Sequence, residues 1–242
     1  MRCGPLHSPA LRAASGKLAA LHRGDHPEES MIYEVRTYDI KPKSQPEVEK
    51  RFGEAYEYRK KLSPLAAFWH TEIGPLNQII HVWPYRDLAE RDRIRAEAVA
   101  GGNWPPKIGE FIVNMRSEIY IPFSFSPELK PGKMGPYFEM RTYTFAPGEL
   151  GKISRVWEKA MPARVKFSPL VGLWYSELGG LNRFTHIWSY PSLDARNESR
   201  EKAVAAGIWP PSVVAKQEGM PDAVLVAQEN KIVMPSAFSP LQ

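Results

Sequence analysis

Cysteine is nearly absent. The 242 residues contain one, Cys3, which excludes an intrachain disulfide or a multi-cysteine metal site and suits a reducing compartment. Long apolar runs are missing too. No stretch of 18 apolar residues occurs, although 43% of the chain is hydrophobic, so no helical membrane span is expected. The chain has no H-E-x-x-H pattern, P-loop, dinucleotide fingerprint or nucleophile elbow, and neither a metal site nor a cofactor is expected. His70 with Glu72 and His81 is the one weak metal candidate. Acidic residues are lacking from the first 24 positions, which carry Arg2, Arg12, Lys17 and Arg23 and supply much of the formal +5 charge. The remainder is close to neutral, with its cations spread among acids, so no nucleic-acid partner is expected.

Residues 1–30 are rich in Ala, Arg, His, Gly and Pro and show no sustained apolar period. They read as a disordered leader or as an extension upstream of a true start at Met31, in a cytoplasmic protein. The alternative is a mitochondrial transit peptide, since the opening is basic and acid-free, although Pro5, Pro9 and Gly16 interrupt any amphipathic helix there.

Beyond that point the chain is written twice. Residues 32–108 align without a gap on 137–213 at an offset of 105, and 29 of the 77 pairs are identical. Glu34-x-Arg36-Thr37-Tyr38 recurs at Glu139 to Tyr143. The turn and its H-x-W spacing, Gly74 to Tyr85, recur at Gly179 to Tyr190, and Trp104-Pro105-Pro106 recurs at Trp209. His70 has Tyr175 as its counterpart, which weakens the metal reading further. Past the W-P-P motif the offset becomes 113, because Phe125-Ser126-Pro127 recurs at Phe238. Eight extra residues therefore fall around Gln217 to Ala227 in the second copy.

Each copy reads as β-α-β-β-α-β. Ile32 to Ile40 alternates as a strand, and Val48, Phe52, Ala55 and Tyr56 follow at helical spacing until Ser63-Pro64 stops the helix. Ala66 to Ile73 and Gln78 to Tyr85 flank the turn Gly74-Pro75-Leu76-Asn77. Asp87 is placed to cap a second helix ending at Gly101-Gly102, and Glu118 to Phe123 is the last strand. The fold class is α+β: two tandem ferredoxin-like repeats, 31–129 and 137–242, joined by a linker at 130–136. A four-stranded sheet with both helices on one face leaves the other face bare. The second copy is the natural cover, giving an intrachain dimeric α/β-barrel with a lumen between facing sheets.

Parity along the first strand separates Tyr33, Val35 and Thr37 from Glu34, Arg36 and Tyr38. The apolar set is expected beneath the helices, together with Ile80 and Val82. The lumen is then expected to receive Glu34, Arg36, Tyr38, Ile79, His81, Trp83 and Tyr85, and in the second copy Glu139, Arg141, Tyr143, His186, Trp188 and Tyr190. Two readings of this cluster stay open. One is a buried, internally satisfied ion-pair network. The other is a pocket for a small aromatic or acidic molecule, with Arg36 holding an anion and His81 or His186 as candidate acid or base. Arg91 with Arg95, and Arg196 with Arg200, read as solvated pairs or ties to nearby acids. Asn77 reads as a turn residue, and Trp104 and Trp209 as plugs at helix ends.

The combination of Ile32 to Tyr38, the G-P-L-N-x-x-x-H-V-W-x-Y run, paired arginines in the next helix and a closing S-F-S-P resembles the NIPSNAP family across residues 31–242. That family resembles the dimeric α/β-barrel superfamily, which includes cofactor-free monooxygenases, haem-handling enzymes and lactone isomerases. For this chain the resemblance implies the fold more than a reaction. Its animal members imply a mitochondrial scaffold with a side-chain-filled lumen; the superfamily implies a small-molecule binder, or a cofactor-free monooxygenase-like or isomerase-like enzyme. A homo-oligomer is compatible with either.

Overall fold

The computed structural model describes residues 31–242; the leader expected at 1–30, with Cys3, lies outside the described residues. Local chemistry accounts for the first repeat. After β1 (Ile32–Ile40), α1 (Gln45–Arg59) buries Val48, Phe52, Tyr56 and Arg59, one stripe at helical spacing. β2 (Ala67–Ile73) and β3 (Gln78–Tyr85) flank a turn whose Asn77 takes left-handed backbone, φ 56°. α2 (Leu88–Ala100) is capped by Asp87, whose carboxylate accepts from the Glu90 N–H at 2.7 Å. β4 (Ile112–Pro122) begins well before the expected Glu118.

The second repeat runs β5 (Tyr137–Phe145), α3 (Leu150–Arg164), β6 (Leu170–Leu178), β7 (Arg183–Tyr190), α4 (Leu193–Ala205), α5 (Pro211–Gln217) and β8 (Leu225–Pro235). The extra helix α5 and the turn after it hold the surplus residues. Repeat 1 has only the short 3-10 turn Gly109–Phe111 at that point.

All eight strands pair antiparallel in one closed barrel, β1-β3-β2-β8-β5-β7-β6-β4. Each repeat supplies a ferredoxin-like quartet, and the quartets join at two seams, β2 with β8 and β4 with β6. The sheets therefore do more than face each other. They share backbone hydrogen bonds at both edges.

The sheet faces are the reverse of the expectation. Tyr33, Val35, Ile80 and Val82 point into the barrel, where they meet Phe138, Met140, Trp174 and Ile187 of the other repeat. Tyr38, Ile79, Trp83 and Tyr85 instead pack under α1 and α2 with Val48, Phe52, Tyr56 and Ile94. Glu34, Arg36 and His81 share that outer face; the His81 ring lies 4.9 Å from Phe52, and Glu34 is bonded to Arg91 of α2. Repeat 2 follows suit, with Trp188 and Tyr190 in the core beneath α3. So Glu34, Arg36, Tyr38, His81, Trp83, Tyr85 and their counterparts Glu139, Arg141, Tyr143, His186, Trp188 and Tyr190 are not lumenal. The cause is that β1, β3, β5 and β7 are enclosed on both faces, one by helices and one by the opposite quartet. Alternation then marks two interiors rather than an inside and an outside.

Each repeat also lends its closing segment to the other. Phe238 sits 4.7 Å from Phe68, and the Ser239 hydroxyl accepts the Phe68 N–H at 3.0 Å. Reciprocally, Phe123 sits 5.1 Å from Phe184, and the Ser126 hydroxyl accepts the Leu173 N–H at 2.9 Å. Gly53 in α1 permits the first contact, since a Cβ there would come within 2.9 Å of the Phe238 ring.

Candidate functional site

β1 and β3 are neighbours with Arg36 directly opposite His81 and Glu34 opposite Trp83. Three consecutive same-face positions on each strand therefore form one patch beneath the helices. Glu34 is fully buried at its back. Its Oε1 accepts from Arg36 at 2.8 Å, Arg91 at 2.7 Å and Ser117 at 2.7 Å, and Arg95 approaches Oε2 at 3.6 Å. Burial alone would raise this carboxyl. The bonds from Arg91 and Ser117 and the charges of Arg36 and Arg95 outweigh it and hold the pKa at about 2. The arginine pair on α2, read from sequence as a solvated pair or a tie to acids, is the tie.

In front of this network lies a cavity of about 310 Å³, walled by Arg36, Tyr38, Arg59, His81, Trp83 and Trp104 among others. Trp104 is thus a wall of the hollow, packed edge-on against Phe52 and Trp83. His81 is 1% exposed, and its Nδ1 accepts the Trp83 indole N–H at 2.6 Å. That bond fixes the tautomer: the proton sits on Nε2, which has no partner. Burial, reinforced by Arg36, drives the imidazole pKa well below its ordinary value. His81 is therefore a neutral ring offering a hydrogen-bond donor.

Arg59, which nothing in the apolar pattern marks, is the residue that changes the chemistry of the cavity. It closes the buried stripe of α1 and is 2% exposed. Its Nη2 donates to the Tyr85 hydroxyl at 3.0 Å, and its guanidinium lies 4.6 Å from the Trp83 ring centre. Nε and Nη1 have no hydrogen-bond partner, and among the described residues no carboxylate pairs with it. Burial pushes its pKa down. A signal was available: Arg59 and Arg164 are identical across the duplication, each four residues before Ser-Pro.

Repeat 2 repeats the network. Glu139 accepts from Arg141 at 3.0 Å and from Arg196, with Arg200 at 3.8 Å, and the His186 Nδ1 accepts the Trp188 N–H at 2.8 Å. The adjoining hollow of about 390 Å³ is lined by Arg141 and Tyr143, but His186, Trp188, Tyr190 and Arg164 do not reach it. Elsewhere, Asn77 serves its turn through a carbonyl that accepts from Ile40 N–H at 2.8 Å. His70 pairs with Glu49 at 2.7 Å. Among the described residues no three His, Cys, Asp or Glu gather as a metal site, and no helix is long and apolar enough to cross a membrane.

The NIPSNAP family profile matches residues 33–127 and 138–240. Protein NipSnap homolog 3A of Homo sapiens is 30% identical over 227 residues, covering 90% of this chain and 89% of the human protein. Among solved structures, a putative monooxygenase from Fusobacterium nucleatum superposes with TM-score 0.59 at 10% identity, over 86% of this chain and 93% of that one. A putative monooxygenase from Lactobacillus acidophilus gives 0.57 at 11%, over 85% and 94%. These two likenesses are of fold alone.

Proposed function

The chain belongs to the NIPSNAP family, and from that premise we propose that its repeat 1 binds a small, mainly apolar molecule bearing a carboxylate or similar anion. The observation that carries this is Arg59. A buried guanidinium without a carboxylate partner is costly to the fold, and this one lines a cavity whose described walls include Arg36 and Arg95 but no acid. The aromatic walls suit an apolar body. The guanidinium and the His81 Nε2–H suit its oxygens. His81 acts here as a donor that orients the ligand rather than as a base, because its Nδ1 lone pair is occupied by Trp83.

Native mass spectrometry of freshly purified protein tests the reading directly. A co-purifying acid of a size the cavity can hold, released by the Arg59→Met substitution, supports it. Retention of the same molecule by that variant refutes it.

A second reading, an interaction protein, has its own observation. Val224, Leu225 and Val226 are 58%, 42% and 65% exposed in sequence at the start of β8, an apolar patch of the kind partners cover.

A further inference from the structure

The duplicated halves are unequal as containers. Phe52 has Trp157 as its counterpart, and the larger ring is fully buried, 4.5 Å from His186 and edge-on to Trp209 at 5.1 Å. The chain between the W-P-P motif and the last strand differs as well. In repeat 1 it passes through Gly109, which lines the cavity and has open space where a Cβ would stand. In repeat 2 the longer connection places Val214 and Ala215 of α5 in the core with Trp157.

Charge diverges in the same direction. The inserted segment sets Asp222 beside Arg141 and Arg200 at the hollow of repeat 2, whereas the cavity of repeat 1 is lined by Arg36, Arg59 and Arg95 and by no described acid. The two buried arginines have separated too. Arg164 donates from Nη1 to the Ser168 hydroxyl at 2.7 Å and lies 4.2 Å over Trp188, leaving only Nε unpartnered. Arg59 leaves both Nε and Nη1 unpartnered, and it lines a cavity that Arg164's neighbour does not offer.

Resting on the ligand reading above, we propose that the duplication has left one working pocket per chain: repeat 1 takes a single anionic ligand at Arg59, whereas in repeat 2 Trp157 plugs the way to Arg164 and His186, and the hollow that remains carries Asp222 against its arginines. Repeat 2 keeps the Glu139 network and the Arg164 stack because they hold α3 and α4 on the sheet. What it has lost is access to the floor, where His186 now meets an indole instead of a hollow. The ligand class follows from the surviving pocket: a flat aromatic acid whose ring packs against the walls formed by Trp83 and Trp104 and whose carboxylate pairs with Arg59.

Isothermal titration calorimetry of the full chain with 2-naphthoate, using 2-naphthamide as the uncharged control, reads this out. The expected result is one naphthoate per chain, with the amide weaker by roughly tenfold or more. Arg59→Met should weaken naphthoate roughly tenfold to hundredfold, while Arg164→Met leaves stoichiometry and affinity unchanged. Phe52→Trp, which writes the plug of repeat 2 into repeat 1, should abolish binding, with a thermal melt confirming that it folds. Two naphthoates per wild-type chain, or a loss caused by Arg164→Met alone, overturns the division while the ligand reading stands. Wild-type protein that binds no naphthoate, or binds it and the amide equally, removes the ligand reading and the division with it. Stoichiometry on wild-type protein decides between one site and two even if a variant fails to fold.

Discussion

Substituting Met for Arg59 removes a buried cation and replaces it with an apolar chain of similar reach. Three contributions set the outcome. The hydrogen bond to the Tyr85 hydroxyl at 3.0 Å is lost, about 1 kcal/mol. The stacking on Trp83 at 4.6 Å is lost as well, about 1–2 kcal/mol. Against these stands relief from holding a guanidinium at 2% exposure with two N–H groups unpartnered and no counter-carboxylate, several kcal/mol. Met recovers part of the packing against the tryptophans. The balance predicts a protein as stable as wild type or more stable by up to about 2 kcal/mol, hence a melting temperature unchanged or raised by a few degrees. Urea unfolding near neutral pH, followed by near-ultraviolet circular dichroism, measures it on both proteins. A loss of more than about 2 kcal/mol would mean that Arg59 is a structural keystone, and the case for a cation kept for a ligand would fail.

Glu34→Gln should be the damaging change nearby, costing about 3–5 kcal/mol in the same assay, because it leaves three arginines around a neutral amide. Arg36→Met should cost only about 1–2 kcal/mol, since Arg91, Arg95 and Ser117 still hold the carboxylate; equal losses for the two variants would contradict the network as described. Acid should unfold the protein in two overlapping ranges. His81 and His186 have folded pKa values well below the unfolded 6.5, so the unfolded state binds more protons and stability falls below about pH 6.5, by up to about 1.4 kcal/mol per unit for each ring. Glu34, at about 2 when folded against 4.5 unfolded, adds a roughly 3 kcal/mol loss as pH drops through that interval. A stability flat between about pH 7 and pH 5 would refute the buried neutral histidines. Residues 31–130 alone should self-associate to rebuild the seams of β2 and β4; a monomer with a cooperative melt in sedimentation and calorimetry would refute that.

Much of this was readable from local chemistry. The duplication, the order of elements, the Asp87 cap and the Asn77 turn all depend on neighbours in sequence, and residue types announce them. The burial side of each strand did not follow, because a barrel wrapped in helices gives Tyr33 and Glu34 equally enclosed surroundings. Polarity suggested that Glu34 and Arg36 face a wet lumen. Arg91 and Arg95 of α2 supply the counter-charge that stabilises the opposite arrangement. Arg59 is hidden for a related reason: it ends an otherwise apolar stripe, so apolar periodicity does not mark it. The plug in repeat 2 was hidden in a Phe-to-Trp difference and an insertion whose short helix has no strong start signal.

The exchange of closing segments reaches into how the molecule is made. Repeat 1 is synthesised first, yet the wall formed by Phe52 and Phe68 is covered by Phe238, and the free edge of β2 is taken by β8. Both come from repeat 2, which is made after repeat 1. The first half therefore emerges with an unpaired edge and an uncovered aromatic face, and nothing in its own sequence can finish it. Folding of repeat 1 is completed only once β8 and Phe238 have been made, and until then its open edge and bare aromatic face are exposed to aggregation.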